Sequence, residues 1–176
     1  MPQLRRWQQG FTLIEILVVV FIIGVILGFA TLSLSGRALD DKVQEEARRL
    51  SEILRLARDE AGLTGLELGW LKTDEGYRFV ALSDNGWAEY GERTPLRPRR
   101  VEAPLKMTVR VDDLPIETDD DQLLPQVMIL SSGEMTPFAI ELGAPDLDFV
   151  FLISGNLLGE IALEKVDPDD LVLRES

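Results

Sequence analysis

The most pronounced pattern in the chain is an apolar run close to its N-terminus. Between Ile16 and Gly36 there are 21 consecutive residues without a formal charge, rich in Val, Ile, Leu and Phe. As a helix this run is about 31 Å long, close to the hydrocarbon thickness of a bilayer. Arg5 and Arg6 precede the run and acidic residues follow it. The positive-inside rule therefore predicts a single span with a cytoplasmic N-terminus and an exported C-terminal domain.

A pattern with helical spacing follows the apolar run directly. Apolar residues recur every three or four positions over residues 39–61, and charged residues fill much of the opposite face. This spacing predicts an amphipathic helix that continues the apolar run and ends with Gly62 as its C-terminal cap. The predicted helix has two parts, a transmembrane and assembly part over residues 11–36 and an amphipathic part over residues 37–62.

Short strands separated by turns follow the predicted helix. Apolar and polar residues alternate over 105–111, which is typical of a half-buried strand. The remaining predicted strands lie at 66–73, 77–83, 127–130, 138–142, 149–153 and 161–163. The segment 93–104, with three prolines, is predicted to be an irregular loop. Strands after a single helix predict an α+β fold, in which the helix packs on an antiparallel β domain over residues 63–176.

Composition removes several classes of chemistry. The chain has no histidine and no cysteine, so it cannot form zinc sites built on thiolate or imidazole, disulfides, cysteine nucleophiles or triads with a histidine base. Its formal net charge of −13 disfavours binding to nucleic acid through phosphate neutralisation. We therefore expect no nucleic-acid partner.

The charge is distributed unevenly along the chain. The net charge is +1 over residues 1–36, zero over residues 37–111 and −14 over residues 112–176. Six basic residues lie between Arg93 and Arg110. This basic cluster is either a solvated proline-rich loop or a contact for an acidic partner, and the sequence leaves both interpretations open.

The segment Gly10-Phe11-Thr12-Leu13-Ile14-Glu15 decides between two interpretations of the N-terminus. An ordinary cleaved signal peptide has a shorter apolar stretch and no carboxylate within it. Together with the basic leader and the apolar run, the segment resembles the class III signal of type IV pilins and pseudopilins. The resemblance implies that a prepilin peptidase removes residues 1–10 by cleaving between Gly10 and Phe11, and that Phe11 is then methylated.

Glu15 is the fifth residue of the chain that this cleavage would leave. It lies one helical turn after the new amino terminus and on the same helix face. A carboxylate within lipid needs a partner, and the amino terminus of a neighbouring subunit would supply one. We therefore predict that Glu15 acts in assembly; the competing interpretation is a glutamate near the cytoplasmic headgroups with no assembly role.

A second resemblance lies in residues 129–138, with the sequence Ile-Leu-Ser-Ser-Gly-Glu-Met-Thr-Pro-Phe. This segment is similar to a strand–turn–strand segment of the H-type minor pseudopilins of type II secretion systems. The two resemblances imply a pilin-like fold and a minor subunit of the periplasmic pseudopilus that helps export folded proteins. They also imply an inner-membrane location and, as partners, prepilin peptidase, the major pseudopilin, other minor pseudopilins and membrane lipid.

Candidate sites for chemistry in the exported domain are weak. The acidic segments 117–121 and 167–170 contain oxygen ligands that calcium prefers, but neither has the spacing and glycine of an EF-hand loop. We interpret both as solvated loops and expect no metal, no other cofactor and no catalytic residue. The alternatives that stay open are a minor type IV or competence pilin and, less favoured, a membrane-anchored periplasmic enzyme.

Overall fold

The computed structural model of the chain describes residues 12–91, 94–111, 114–115, 123–145 and 147–174, with the backbone alone at 27–37, 115 and 172–174. Residues up to Leu39 and residues from Asp40 onward form two separate compact units. The helices are α1 (Leu13–Thr64) and α2 (Pro168–Arg174). The strands are β1 (Leu68–Lys72), β2 (Gly76–Ser83), β3 (Gly86–Tyr90), β4 (Arg99–Arg100), β5 (Lys106–Val111), β6 (Leu114–Pro115), β7 (Val127–Ile129), β8 (Phe138–Gly143), β9 (Val150–Gly155) and β10 (Ile161–Val166).

The first unit contains the N-terminal part of α1. Thr12 is the residue before the helix, and its hydroxyl and carbonyl oxygens both accept from the backbone N–H of Glu15, at 3.3 and 3.1 Å. This is the N-cap interaction that threonine commonly provides, and Glu15 occupies the third helical position of a capping box sequence. Within the described part of the chain, no helix is both long and apolar enough to cross a membrane.

The second unit begins with the amphipathic part of α1. Its buried apolar positions follow the predicted spacing and are fully shielded from solvent at Val43, Ala47, Leu50, Leu54, Ala57 and Ala61. Salt bridges join the half-buried Arg49 to Glu45 at 2.9 Å and to Glu46 at 2.7 Å. The helix is therefore held by burial of one apolar stripe, while charged residues on its other faces pair with each other.

The predicted C-terminal cap of α1 is wrong by three residues. Gly62 lies within the helix, and the cap is Gly65, which has a φ of 72° and donates its N–H to the carbonyl oxygen of Ala61 at 2.9 Å. A left-handed residue at this position satisfies a carbonyl that the last turn would leave unpaired. Only glycine adopts this φ without steric cost.

Two antiparallel sheets make up the rest of the second unit. In the first sheet the strand order is β3-β2-β1-β7, with β4 also pairing with β2. In the second sheet the order is β10-β9-β8-β5-β6. The inward row Val109, Ile140 and Ile153 runs across β5, β8 and β9 and is buried. The predicted α+β class with antiparallel sheets is confirmed.

Several short elements were not anticipated from the sequence. β3 and the two-residue strands β4 and β6 extend the sheets, and β4 lies inside the segment that was predicted to be irregular. The predicted loop at 167–170 is also wrong, because α2 starts at Pro168. The Asp167 side chain accepts from the N–H of Asp169 at 3.0 Å and so caps α2. The acidic segment 117–121 lies outside the described residues.

Candidate assembly surfaces

The predicted N-terminal site is described only in part. Gly10 and Phe11 lie outside the described residues, whereas Glu15 lies in the first turn of α1. Its side chain is exposed. A carboxylate at this position interacts favourably with the N-terminal end of the helix dipole. Glu15 therefore has a local role in starting α1, and its charge is accessible to a further partner.

Apolar side chains surround Glu15 on α1. Every described side chain from Thr12 to Ile26 is exposed, and Leu13 reaches 84% exposure. A contiguous apolar surface of this kind marks contact with protein or lipid rather than with water. The N-terminal part of α1 thus presents an exposed apolar surface, and Glu15 is the acidic residue within its described side chains at 12–26.

The Ser-Ser-Gly-Glu turn is tied to the residue that precedes β1. The carboxylate of Glu67 accepts from both the backbone N–H and the hydroxyl of Ser131, at 3.0 and 2.9 Å. The turn is closed by the N–H of Leu130, which donates to the carbonyl oxygen of Glu134 at 2.8 Å. The Ser131 hydroxyl is therefore part of a structural junction, in which hydrogen bonds hold the turn after β7 against the residue before β1.

Two arginines of α1 bind the start of β10 and the turn before it. Arg55 donates to the carbonyl oxygen of Ile161, and Arg58 donates to that of Gly159, each at 2.7 Å. Gly159 has a φ of 74°, and a side chain there would collide with the carbonyl oxygen of Gly133. The β9–β10 turn and the serine turn can approach this closely because position 159 is a glycine.

A cleft opens beside β2, at the strand's first residues. Its volume is about 490 Å³, and the lining residues that matter here are Glu75, Tyr77, Arg78, Glu89, Arg99 and Arg100. We call it the Tyr77 cleft. The backbone of β4 pairs with β2 at Gly76 and Tyr77. A side chain at Gly76 would collide with the carbonyl oxygen of Arg99, so this glycine permits the pairing that forms one wall.

The Tyr77 side chain is buried in this cleft, and its pKa is strongly shifted. Its side chain is 1% exposed, and its ring packs against Trp70 and Phe79 at centroid distances of 6.0 and 6.5 Å. Burial raises the pKa of Tyr77 far above its ordinary value, the charge of Glu46 raises it further, and nearby arginines oppose the shift. The phenol therefore stays protonated at physiological pH and can only act as a neutral hydrogen-bonding group.

Sequence reasoning found one of these surfaces and missed the others. The N-terminal motif was identified because its residues are contiguous. The Tyr77 cleft and the Glu67–Ser131 junction were missed because each joins residues that are distant in sequence, 64 positions apart for Glu67 and Ser131. The Arg93–Arg110 basic cluster was the available signal for the cleft. Among the described residues, no group of three or more acidic side chains is placed to hold a metal ion.

Comparison with known proteins gives consistent matches over most of the chain. Residues 7–31 match the prokaryotic N-terminal methylation motif, and residues 46–159 match the family described as type II transport protein GspH. Type II secretion system protein H of Pseudomonas aeruginosa is 31% identical over 150 residues, covering 78% of this chain and 84% of that protein. The protein of the same description from Aeromonas hydrophila is 27% identical over 160 residues, covering 84% of this chain and 87% of its relative.

The solved structures that resemble the chain agree in fold. The minor pseudopilin EpsH from the type 2 secretion system of Vibrio cholerae superposes with a TM-score of 0.61 at 20% identity, over 72% of this chain and 98% of that one. At this identity the likeness establishes the pilin-like α+β fold. The match over residues 46–159 and the 31% identity to the Pseudomonas aeruginosa protein show that the chain belongs to the GspH family of type II transport proteins.

Proposed function

We propose that this chain, a minor pseudopilin of the GspH family, is made as an inner-membrane precursor and is then inserted into the periplasmic pseudopilus. The observation that carries the proposal is the methylation motif at residues 7–31, which includes Gly10, Phe11 and Glu15. Prepilin peptidase cleaves after Gly10 and methylates Phe11. The membrane anchor is proposed from the uncharged apolar sequence of residues 16–36. Within this segment the structure describes side chains for residues 16–26 and the backbone alone for residues 27–36.

Assembly depends on Glu15 in this proposal. Once the leader is removed, the exposed apolar surface of α1 packs against neighbouring pseudopilins, the major subunit among them. Glu15 then lies in a low-dielectric environment, where its charge requires an opposite charge. The methylated amino terminus of an adjacent subunit supplies it and sets the axial position of one subunit against the next. The chain acts through these contacts and catalyses no reaction.

Intact mass of the mature protein tests the processing step. In cells with an active prepilin peptidase, we expect a chain of 166 residues that begins with methylated Phe11. A chain that retains Met1, or one that begins near Thr31, would contradict the proposal. Replacing Gly10 with a bulky residue should block cleavage, because the peptidase requires a small side chain before the scissile bond.

The substitution Glu15→Val tests the assembly step. We expect normal cleavage and membrane insertion, because valine enters lipid more easily than a carboxylate does. We also expect loss of co-purification with other pseudopilins and reduced secretion of exported enzymes. E15D keeps the charge with a shorter reach and should give an intermediate result. Normal association and secretion in the E15V strain would contradict the assembly role of Glu15.

A further inference from the structure

The Tyr77 cleft contains one more arginine than its acidic residues can neutralise. Arg78 pairs with Glu89 at 3.1 Å, and Arg100 pairs with Glu75 at 2.8 Å. Arg99 also lines the cleft, yet no described acidic residue lies within ion-pair distance of it. The lining therefore carries one unbalanced positive charge, at Arg99.

Two polar atoms at this charge lack hydrogen-bond partners within the described part of the chain. The hydroxyl of Tyr77 and the Nε of Arg99 are both buried and unpaired. The Oε1 atom of Glu46 is buried and unpaired as well, but Glu46 does not line the cleft, and its other oxygen pairs with Arg49 at 2.7 Å. A buried donor without an acceptor costs free energy, so such a group calls for an explanation, and a partner that binds in the functional state is one. The Nε–H of Arg99 can only donate and the Tyr77 hydroxyl can donate, so one acceptor would satisfy both groups, and the excess charge of Arg99 favours an anion as that acceptor.

The neighbouring acids limit what kind of anion can enter. Glu75 and Glu89 line the same cleft, and the charge of Glu46 acts on Tyr77. These acids would repel a doubly charged phosphate more strongly than a singly charged carboxylate. The cleft is also open to the surface, which suits a side chain that projects from another protein. We propose that the Tyr77 cleft binds an aspartate or glutamate side chain of a neighbouring pseudopilin. This inference rests on the proposed function, because it names a contact within the same assembly.

The binding step follows from the positions of the two donors. Arg99 is half-buried, and both unpaired atoms are shielded from solvent in the free chain. The Arg99 side chain turns within the cleft and pairs with the incoming carboxylate, and the Tyr77 hydroxyl donates to its second oxygen. Glu46 raises the pKa of Tyr77 by its charge, so it also keeps this hydroxyl protonated as a donor.

Crosslinking of the full chain tests the contact directly. The substitution Arg99→Lys places a primary amine at the cleft, which a carbodiimide joins to any carboxylate in contact. Membranes from secretion-competent cells are treated with the reagent, and crosslinked peptides are mapped by mass spectrometry. We expect an amide between position 99 and an Asp or Glu of another pseudopilin. R97K is the matched control, since Arg97 is exposed on the same segment but does not line the cleft.

Removing the Tyr77 hydroxyl separates binding from folding. Y77F keeps the ring packing, and because the hydroxyl is unpaired in the free chain, its melting temperature should be unchanged or higher. When Y77F is combined with R99K, the yield of crosslinked product should fall by about tenfold. This is the change in affinity expected from the loss of one hydrogen bond to a charged group. Y90F is the control, since Tyr90 already donates to Glu60 at 2.9 Å. It should lower the melting temperature and leave the product unchanged.

The possible outcomes distinguish this inference from the proposed function. A crosslink only to Glu46 or Glu75 of the same chain, a crosslink to a second copy, or a lower melting temperature for Y77F would overturn the cleft proposal. So would equal yields from R99K and R97K. None of these would affect the assembly role. That role fails instead if a strain lacking the gene secretes normally.

Discussion

At the scale of single residues, Glu67 joins two parts of the β domain that are distant in sequence. Its carboxylate accepts two hydrogen bonds from Ser131 and so joins the start of β1 to the turn after β7. Both bonds are charge-assisted, and the groups are partly buried. Loss of the carboxylate would leave a backbone N–H without its acceptor, which costs more than loss of an exposed contact does.

The variant Glu67→Ala should therefore be less stable. We expect its free energy of unfolding to fall by about 1–3 kcal/mol, measured by urea denaturation with tryptophan fluorescence. S132A is the matched control, because the Ser132 hydroxyl bonds to Glu134 at the exposed surface at 3.3 Å. The control should change stability by less than about 0.5 kcal/mol. Equal losses for the two variants would contradict the role of the junction.

The ionisation of Tyr77 predicts a dependence of stability on alkaline pH. Burial raises the pKa of Tyr77 in the folded chain, whereas in the unfolded chain it keeps its ordinary value of about 10. The folded state therefore binds more protons above that pH, so stability falls as pH rises. Urea denaturation between about pH 9 and 11 should show a steeper loss for the unaltered chain than for Y77F. Parallel curves would show that the phenol ionises equally in both states.

At the scale of elements, the end of α1 is set by backbone conformation. Gly62 and Gly65 are close in sequence, but Gly65 alone has a positive φ, and Gly62 has helical geometry. Both positions have room for a methyl group, since the nearest atom to a side chain at Gly62 is 3.8 Å away and none lies within 4 Å at Gly65. Any difference between alanine variants must come from the backbone.

Alanine substitutions at these two glycines should have opposite effects. Gly65→Ala forces a left-handed conformation on a residue with a side chain and should cost about 1 kcal/mol. G62A places a good helix former inside α1 and should raise the free energy of unfolding by about 0.5–1 kcal/mol. Each variant is the control for the other in the same denaturation experiment. Two effects of equal sign would contradict the position of the cap.

At the scale of the whole molecule, the charge distribution limits which partners can bind. The chain has a net charge of −13, and residues 112–176 alone contribute −14. The ion pairs of Arg78 and Arg100 further reduce the positive charge available near the Tyr77 cleft. A polyanion would meet repulsion over most of the surface, whereas one carboxylate could approach Arg99.

Duplex DNA should therefore not bind the mature chain at physiological salt. A gel-shift assay should show no retarded complex, because counterion release requires a continuous positive surface. The variant with both R99A and R100A is the control, and it should behave identically. A salt-sensitive shift that this double substitution abolishes would favour the competence-pilin alternative over a role in secretion.

Much of the fold could be predicted because local spacing determines which residues are buried. The three- and four-residue repeat identified the buried face of α1, and alternation identified β5. Strands of two residues are too short to produce a period, so β4 and β6 were missed. The acidic start of α2 was assigned to a loop because aspartate is favoured both in turns and at helix N-caps.

The sequence by itself determined the N-terminal motif, the buried stripe of α1 and the α+β class, since each depends on residues that are neighbours along the chain. Only the tertiary structure decided the strand order, the Glu67–Ser131 junction and the meeting of Tyr77 with Arg99. These depend on which strands pair, and pairing is selected by the total burial and hydrogen bonding of the folded unit. Local propensity does not contain that information. The unpaired donors of the Tyr77 cleft became visible for the same reason, because a hydrogen-bond partner can be judged present or missing only in three dimensions.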